Sequence, residues 1–387
     1  MEVSKLSESY DVIIVGAGVI GCSIAYQLSN RQKKVLLLDK NKIGGEASSA
    51  AAGMLGVHSE FIDDQNLLRA ALKSRDMFTE LSRELKEISG IDIEIVQNGM
   101  IKPAYSEIEK DQMKEILQLS ADVEWLSEEE VSRLEPKLSK VNHGALYAYR
   151  DGNVSAGRLT RALAESAVKL GAYIQEYTPV ISFLMESGRC IGVKTLHETY
   201  HSQEVIVAGG AWSSKILKDA GFEICGLPVK GECFSVSAGK QLVERTIFTK
   251  ECYIVPKRGN HYLVGATEHP HTFDSKVSAG GIHHLLGKAI DLLPDLAFAR
   301  LEKTWAGVRP KTDRFPPLIG RLPGPECLTV ATGHYRNGIL LAPLTGMLMA
   351  DLIDGIEIDP IFGFNQLMKG CEISESENEW ALCPAPC

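Results

Sequence analysis

Apolar residues come in short unbroken runs near the start of the chain. Tyr10-Asp11-Val12-Ile13-Ile14-Val15 is one, and Val35-Leu36-Leu37-Leu38 is another. Such runs lack the alternation of a half-wet sheet, so they predict parallel strands covered on both faces. Between them Ile24, Ala25 and Leu28 mark a helical face, which makes the opening a strand–helix–strand unit. Farther on the period changes. Apolar positions over 67–88 keep helical spacing and predict one long helix closed by Gly90. Ser106 with Glu109, and Ser127 with Glu130, are capping boxes that open two short charged helices. Residues 158–170 predict an amphipathic helix ended by Gly171. Strands are predicted near 173–174, 190–194 and 205–208, and a more antiparallel region over 227–236, 252–256 and 261–266. A helix over 278–293 stops at Pro294. A late strand, Leu328–Thr332, leads through Gly333 to a helix from about Ile339. Periodicity is lost beyond about Ile361, and 363–387 reads as a surface tail.

Composition narrows the class. The chain has 387 residues, 44% hydrophobic and 24% charged. That suits a soluble globular enzyme of two or three domains and excludes collagen-like, largely disordered and multi-spanning chains. A net charge of -9 argues against a nucleic-acid surface. The 9 cysteines form no CxxC and no zinc-spaced cluster, so reduced thiols are expected. His269-Pro270-His271 and His283-His284 lack further ligands at usable spacing, so no metal is expected. The start lacks a signal-peptide pattern. The longest apolar stretch, 339–353, is broken by Pro343, Thr345, Gly346 and Asp351. A cytoplasmic protein with no membrane partner is expected.

Chemistry enters through the glycines, of which there are 35. Gly16-Ala17-Gly18-Val19-Ile20-Gly21 is GxGxxG, set between a strand and a helix, with Asp39 ending the next strand. That context marks a Rossmann-like dinucleotide site. Gly16 serves the tight turn, Gly18 the approach of a pyrophosphate and Gly21 close packing. Asp39 would accept from ribose hydroxyls and repel a 2′-phosphate. Three further segments favour FAD over NAD. They are the small-residue run Ser48-Ser49-Ala50-Ala51-Ala52-Gly53-Met54, the strand-to-helix passage Val205 to Ser213 through Gly209-Gly210, and the late loop Gly333-His334-Tyr335-Arg336-Asn337-Gly338. A nucleotide site confined to the start needs no such late element, whereas a flavin ring laid across the fold does. A helix beginning near Gly338 would aim its positive end at the flavin N1–C2 carbonyl.

These motifs, with Trp305-Ala306-Gly307-Val308-Arg309-Pro310, Pro228 to Cys233 and Cys252 to Pro256, resemble the amine-oxidising FAD family that contains D-amino acid oxidase, sarcosine oxidase and glycine oxidase. The resemblance runs from about Tyr10 to Asp359 and is strongest to the glycine oxidase branch. It implies an α/β fold: a Rossmann-like FAD-binding domain (1–90, 150–220 and 306–362) interleaved with an α+β substrate domain on a mostly antiparallel sheet (91–149 and 221–305). It implies FAD contacts at Gly16, Gly18, Val19, Ile20, Gly21, Asp39, Lys40, Ala47, Ser48, Ala52, Gly53, Met54, Val180, His334, Tyr335, Arg336, Asn337, Gly338, Ile339 and Leu340. No cysteine lies in 311–317, so FAD is expected to be non-covalent.

A small amino acid brings a carboxylate, and a buried carboxylate needs paired charge. Arg309 stands among apolar and rigid residues, as a fixed clamp would. Arg336 lies in the glycine-rich late loop, and Tyr253 has a hydroxyl to give. The resemblance implies that Arg309 and Tyr253 bind the substrate carboxylate, with Arg336 close by. It also implies oxidation of glycine, sarcosine or small D-amino acids with oxygen as acceptor, a role in thiamine biosynthesis, and a homotetramer. Glu251 and Glu268 depart from the branch pattern, which has a histidine and a methionine there, so glycine need not be the sole substrate. A flavin dehydrogenase using another electron carrier, an NAD-dependent dehydrogenase and an idle flavin-binding protein are the alternatives.

Overall fold

The computed structural model describes residues 9–59, 64–218, 221, 222, 224, 226–312 and 317–357. The tail expected at 363–387 lies outside them.

Eight strands make the first sheet. Its parallel middle runs Leu328–Thr332, Thr199–Val207, Ser9–Val15, Val35–Leu38, Tyr173–Gln175. The first two are joined in space although far apart in sequence, with Val207 beside Val330. Burial explains the apolar runs. Val12 and Ile14 enter one core with the helices Val19–Asn30, Ala156–Lys169 and Gly338–Ile353. Ile13 and Val15 face the other side, against Leu36, Leu38, Val205 and Val330. Both faces of these strands are therefore dry, as in other parallel sheets flanked by helices. Val180–Glu186 and Arg189–Thr195 fold as an antiparallel flap on Thr199–Val207.

Nine strands make the second sheet. All its pairs are antiparallel except Met100–Pro103 with Thr246–Phe248. The spine is Gly226–Ser237 against Arg300–Thr312, paired from Gly226 with Thr312 to Ser237 with Arg300 with one register shift between Ser235 and Val236. Residues 306–312 thus belong to this sheet. The helix Ala279–Leu292 covers one face, burying Leu285, Ala289 and Leu292 with Phe234, Val236 and Val264.

Two local expectations are corrected. The helix expected over 67–88 is two helices, Gln65–Asp76 and Phe78–Ser89, meeting at Met77. The first packs on Gly338–Ile353 and the second on Ala156–Lys169, and one straight rod does not reach both. At Ser106 only half of the capping box closes. Ser106 accepts from the Glu109 N–H, but the Glu109 carboxylate turns to the Tyr105 N–H instead. The Ser127–Glu130 box closes on both sides.

Candidate active site

The parallel strands end at Val15, Leu38 and Val207, and the loops beyond them wall a cavity of about 430 Å³. Carboxyl ends of parallel strands are where such sheets hold ligands, and this volume suits a small-molecule or cofactor site. Gly16 turns there with φ +114°, and a Cβ on it would lie 2.5 Å from the Ala208 carbonyl oxygen. No other residue fits both the angle and the space. The helix Val19–Asn30 starts at Gly18 with no side-chain cap of its own. Ser48 Oγ accepts from the Val19 N–H at 2.9 Å, which draws the small-residue loop onto the helix end. Asp39 is oriented by the backbone: its carboxylate accepts from Ala17 N at 2.6 Å and Asn41 N at 2.7 Å. Burial pushes the Asp39 carboxyl up.

Most residues expected at FAD line this cavity, Lys40, Val180, Met54 and His334 among them. Three do not line it. Gly21 is turned into the sheet contact, where a Cβ would sit 1.9 Å from Gly16 O. Leu340 is core, 2% exposed. Asn337 is buried as the N-cap of Gly338–Ile353 and gives no surface to the cavity. That helix begins with no side-chain cap bond from Asn337, and its first residues, Gly338 and Ile339, line the cavity. Helix starts carry partial positive charge, which suits an anionic or electron-rich ligand edge.

Several wall residues were not legible beforehand. Ile181 and Phe183 reach the cavity from the antiparallel flap; Trp212, inside the passage Val205 to Ser213 singled out above, joins them with Lys40 Nζ 3.6 Å over its ring. Lys257 is the larger surprise. Its Nζ donates to Ala52 O at 2.7 Å, Asn153 Oδ1 at 2.8 Å and Val154 O at 2.9 Å. It pins the strand Tyr253–Lys257 to the small-residue loop. Burial pushes its ammonium down to about 7, with Glu94 acting the other way. A lysine at a strand end before Arg258-Gly259 reads as surface, so the sequence carries no signal for it.

His334 is buried beside the cavity, with Nε2 3.1 Å from Thr345 Oγ1. Burial pushes its imidazole down to about 3, so it is neutral at working pH. The unfolded chain takes a proton below about 6.5 that the folded chain refuses until about 3. Stability therefore falls as pH drops through that window. His334→Gln is expected to flatten the acid limb of a denaturation-midpoint against pH curve. An unchanged limb would remove His334 as its cause.

The three residues expected at the substrate meet on one wall. Tyr253, Arg309 and Arg336 all line the cavity, although they come from a strand, a second strand and a loop. Arg309 lies opposite Val229 in the ladder, and its guanidinium reaches across Gly231, where a Cβ would fall 2.3 Å from Nη2. Its Nη1 donates to Thr267 O at 3.2 Å. Tyr253 is buried, with Oη 3.6 Å from Cys233 Sγ and its ring stacked on Phe248 at 6.4 Å. Burial pushes the phenol far up, against the pull of Arg309 and Arg336, so it remains a proton donor. Arg336 sits at the rim, its guanidinium 5.8 Å over the Phe248 ring. Two cations and a hydroxyl on one apolar wall can bind a carboxylate.

A second cavity of about 420 Å³ shares Tyr253 and Arg336 with the first. Glu251 and Glu268 both line it. Glu251 pairs with Lys288 at 3.1 Å, and the Glu268 carboxylate accepts from Tyr335 Oη.

Residues 11–352 match the family model described as FAD dependent oxidoreductase. The chain belongs to this family. This FAD-dependent oxidoreductase is 43% identical over 355 residues to the glycine oxidase of Geobacillus kaustophilus, across 90% of this chain and 94% of that protein. The crystal structure of glycine oxidase from Geobacillus kaustophilus superposes with a TM-score of 0.89, covering 92% of this chain and 97% of the other. The FAD-dependent oxidoreductase is also 32% identical to the bifunctional protein ThiO/ThiG of a Nostoc species, over 91% of this chain and 54% of that one. The α/β fold seen here matches that glycine oxidase structure. The residues present suit FAD: the Gly16 turn that a Cβ would fill, the start of Val19–Asn30, and the start of Gly338–Ile353 lie on one cavity.

Proposed function

We propose that the chain catalyses the oxidative deamination of glycine, with sarcosine and small D-amino acids as further substrates. Glycine, oxygen and water give glyoxylate, ammonia and hydrogen peroxide. The reading is carried by one observation: Arg309, Arg336 and Tyr253 converge on the cavity that the FAD-family loops enclose. The likeness to glycine oxidases supports the substrate class. The adjoining second cavity gives room for substituents that glycine lacks.

Bound FAD, held non-covalently, supplies the hydride acceptor for the substrate α-carbon, with oxygen as final oxidant. The chain supplies position and charge. Arg309, tethered by Thr267 O, and Arg336 bind the carboxylate from two sides, and the Tyr253 hydroxyl donates to it. Gly231 leaves the space Arg309 occupies. Apolar walls from Ala52, Met54 and Ile339 keep water from the reacting carbon. No side chain is needed as base once the amine is neutral.

We read the first sheet as the cofactor half and the second as the substrate half, in a cytoplasmic homotetramer. A role in thiamine biosynthesis follows from the likeness to ThiO/ThiG proteins. The test is peroxide release from purified yellow protein over a panel of glycine, sarcosine and D-alanine. Peroxide with glycine supports the reading. Reduction of the flavin without peroxide would favour another electron acceptor, and no reduction by any of the three would end it.

A further inference from the structure

We propose that Glu268 is a built-in competitor for the substrate carboxylate, an anion set among the same cations, whose charge weakens binding of every carboxylate ligand. The inference rests on the amino acid oxidase reading above.

Glu268 is bracketed by the clamp on both sides. The residue before it, Thr267, accepts from Arg309 Nη1 through its carbonyl at 3.2 Å. The residue it accepts from, Tyr335, directly precedes Arg336. Glu268 and Arg336 then line one cavity, which shares Tyr253 and Arg336 with the first. Lys311 joins the group, with Nζ 5.3 Å from the Tyr335 ring. The bond from Tyr335, and then Arg336, Arg309 and Lys311, hold the Glu268 carboxyl below the usual carboxylate range. Two of these cations, Arg336 and Arg309, are those proposed to bind substrate.

The neighbouring acid does not share this role. Glu251 lines the same cavity but is paired with Lys288 at 3.1 Å, and Lys250 is engaged by Glu109 at 3.0 Å. The acid behind the clamp is also balanced. Glu232 is fully buried, accepts from Ser278 N at 2.8 Å and pairs with Lys230 at 3.1 Å. Among the described residues, a substrate carboxylate arriving at Arg309 and Arg336 therefore meets Glu268 as a fixed negative charge at the rim. Two like charges within reach of one cation pair repel, and a rim position screens this without abolishing it. The device raises the substrate concentration needed for half-saturation and leaves the chemical step alone.

The experiment titrates flavin absorbance of the purified holoenzyme with glycolate, which has the carboxylate and size of glycine but no amine. Wild type, Glu268→Gln and Glu268→Asp are compared. Glu268 is exposed, so these exchanges spare the core. Glu268→Gln is expected to tighten glycolate about tenfold, with the gain shrinking at high salt, while Glu268→Asp stays within about threefold of wild type. KM for glycine is expected to fall in step, with kcat changed less than about twofold. Equal or weaker glycolate binding by Glu268→Gln would overturn the proposal while leaving the arginine clamp standing. A change in glycine KM without any change for glycolate would also overturn it, since Glu268 would then act on the amine. Glycolate that binds none of the three proteins, together with absent glycine turnover, would fail the underlying reading and this inference with it.

Discussion

Arg309→Ala is expected to raise KM for glycine about 100- to 1,000-fold while FAD remains bound. The expectation follows from where the side chain is and what it leaves behind. Arg309 crosses the second sheet over Gly231 and is half-buried, so its guanidinium is already ordered and partly dry before substrate arrives. Truncating one partner of such a hydrogen-bonded charge pair costs about 2–5 kcal/mol, because the carboxylate is then held without its counter-charge. Arg336 remains, which bounds the loss from above. The first-sheet loops at Gly16, Ser48 and Gly338 do not involve Arg309, so flavin content should be unchanged. Initial rates of peroxide release against glycine concentration, with the flavin-to-protein absorbance ratio, measure both halves. Arg309→Lys should recover only part of the loss, since an ammonium lacks the planar fork. A KM within about threefold of wild type would remove Arg309 from the clamp.

Gly16→Ala is expected to yield a largely colourless protein with a lowered Tm. Two costs add at this position. The φ of +114° is one that a residue with a Cβ rarely adopts, and the added carbon would lie 2.5 Å from Ala208 O. Relief requires the ends of Ser9–Val15 and Thr199–Val207 to part, although they are hydrogen-bonded neighbours. The combined destabilisation is about 3 kcal/mol or more. The displaced turn is also the floor of the cavity, so cofactor affinity falls along with stability. Purification in excess FAD separates the two effects: recovered colour with a persistently low Tm would show strain without loss of the site. Full occupancy and an unchanged Tm would refute the role assigned to the turn.

Legibility followed the range of each interaction. The opening strand–helix–strand unit, the late strand Leu328–Thr332 and the helix starts at Ser127 and Ser278 were readable because each is announced by neighbours in sequence. The strand Arg300–Thr312 was not read as one. Its first half is exposed, so it shows no apolar alternation, and it is held by a ladder to Gly226–Ser237 that lies far away in the chain. The single helix expected over 67–88 failed for the related reason that periodicity reports a face but not which partner that face meets. Among expected FAD residues, Gly21, Asn337 and Leu340 are the ones that do not line the cavity, which sequence spacing alone does not distinguish from their neighbours.

By itself the sequence determined the class of cofactor and the kind of substrate group. Glycines at fixed spacing after a buried strand, and arginines within rigid motifs, express local steric and charge requirements that hold wherever the segment ends up. Tertiary structure alone decided what those groups face. The ladder places Arg309 opposite Val229 and over Gly231. The loop after Gly265 brings the Thr267 carbonyl to Arg309 and Glu268 to Tyr335. The Lys257 ammonium is drawn to the Ala52 carbonyl. Each of these is a contact between segments remote in the chain. Strand register and helix docking set such contacts, and both depend on the packing of the whole molecule.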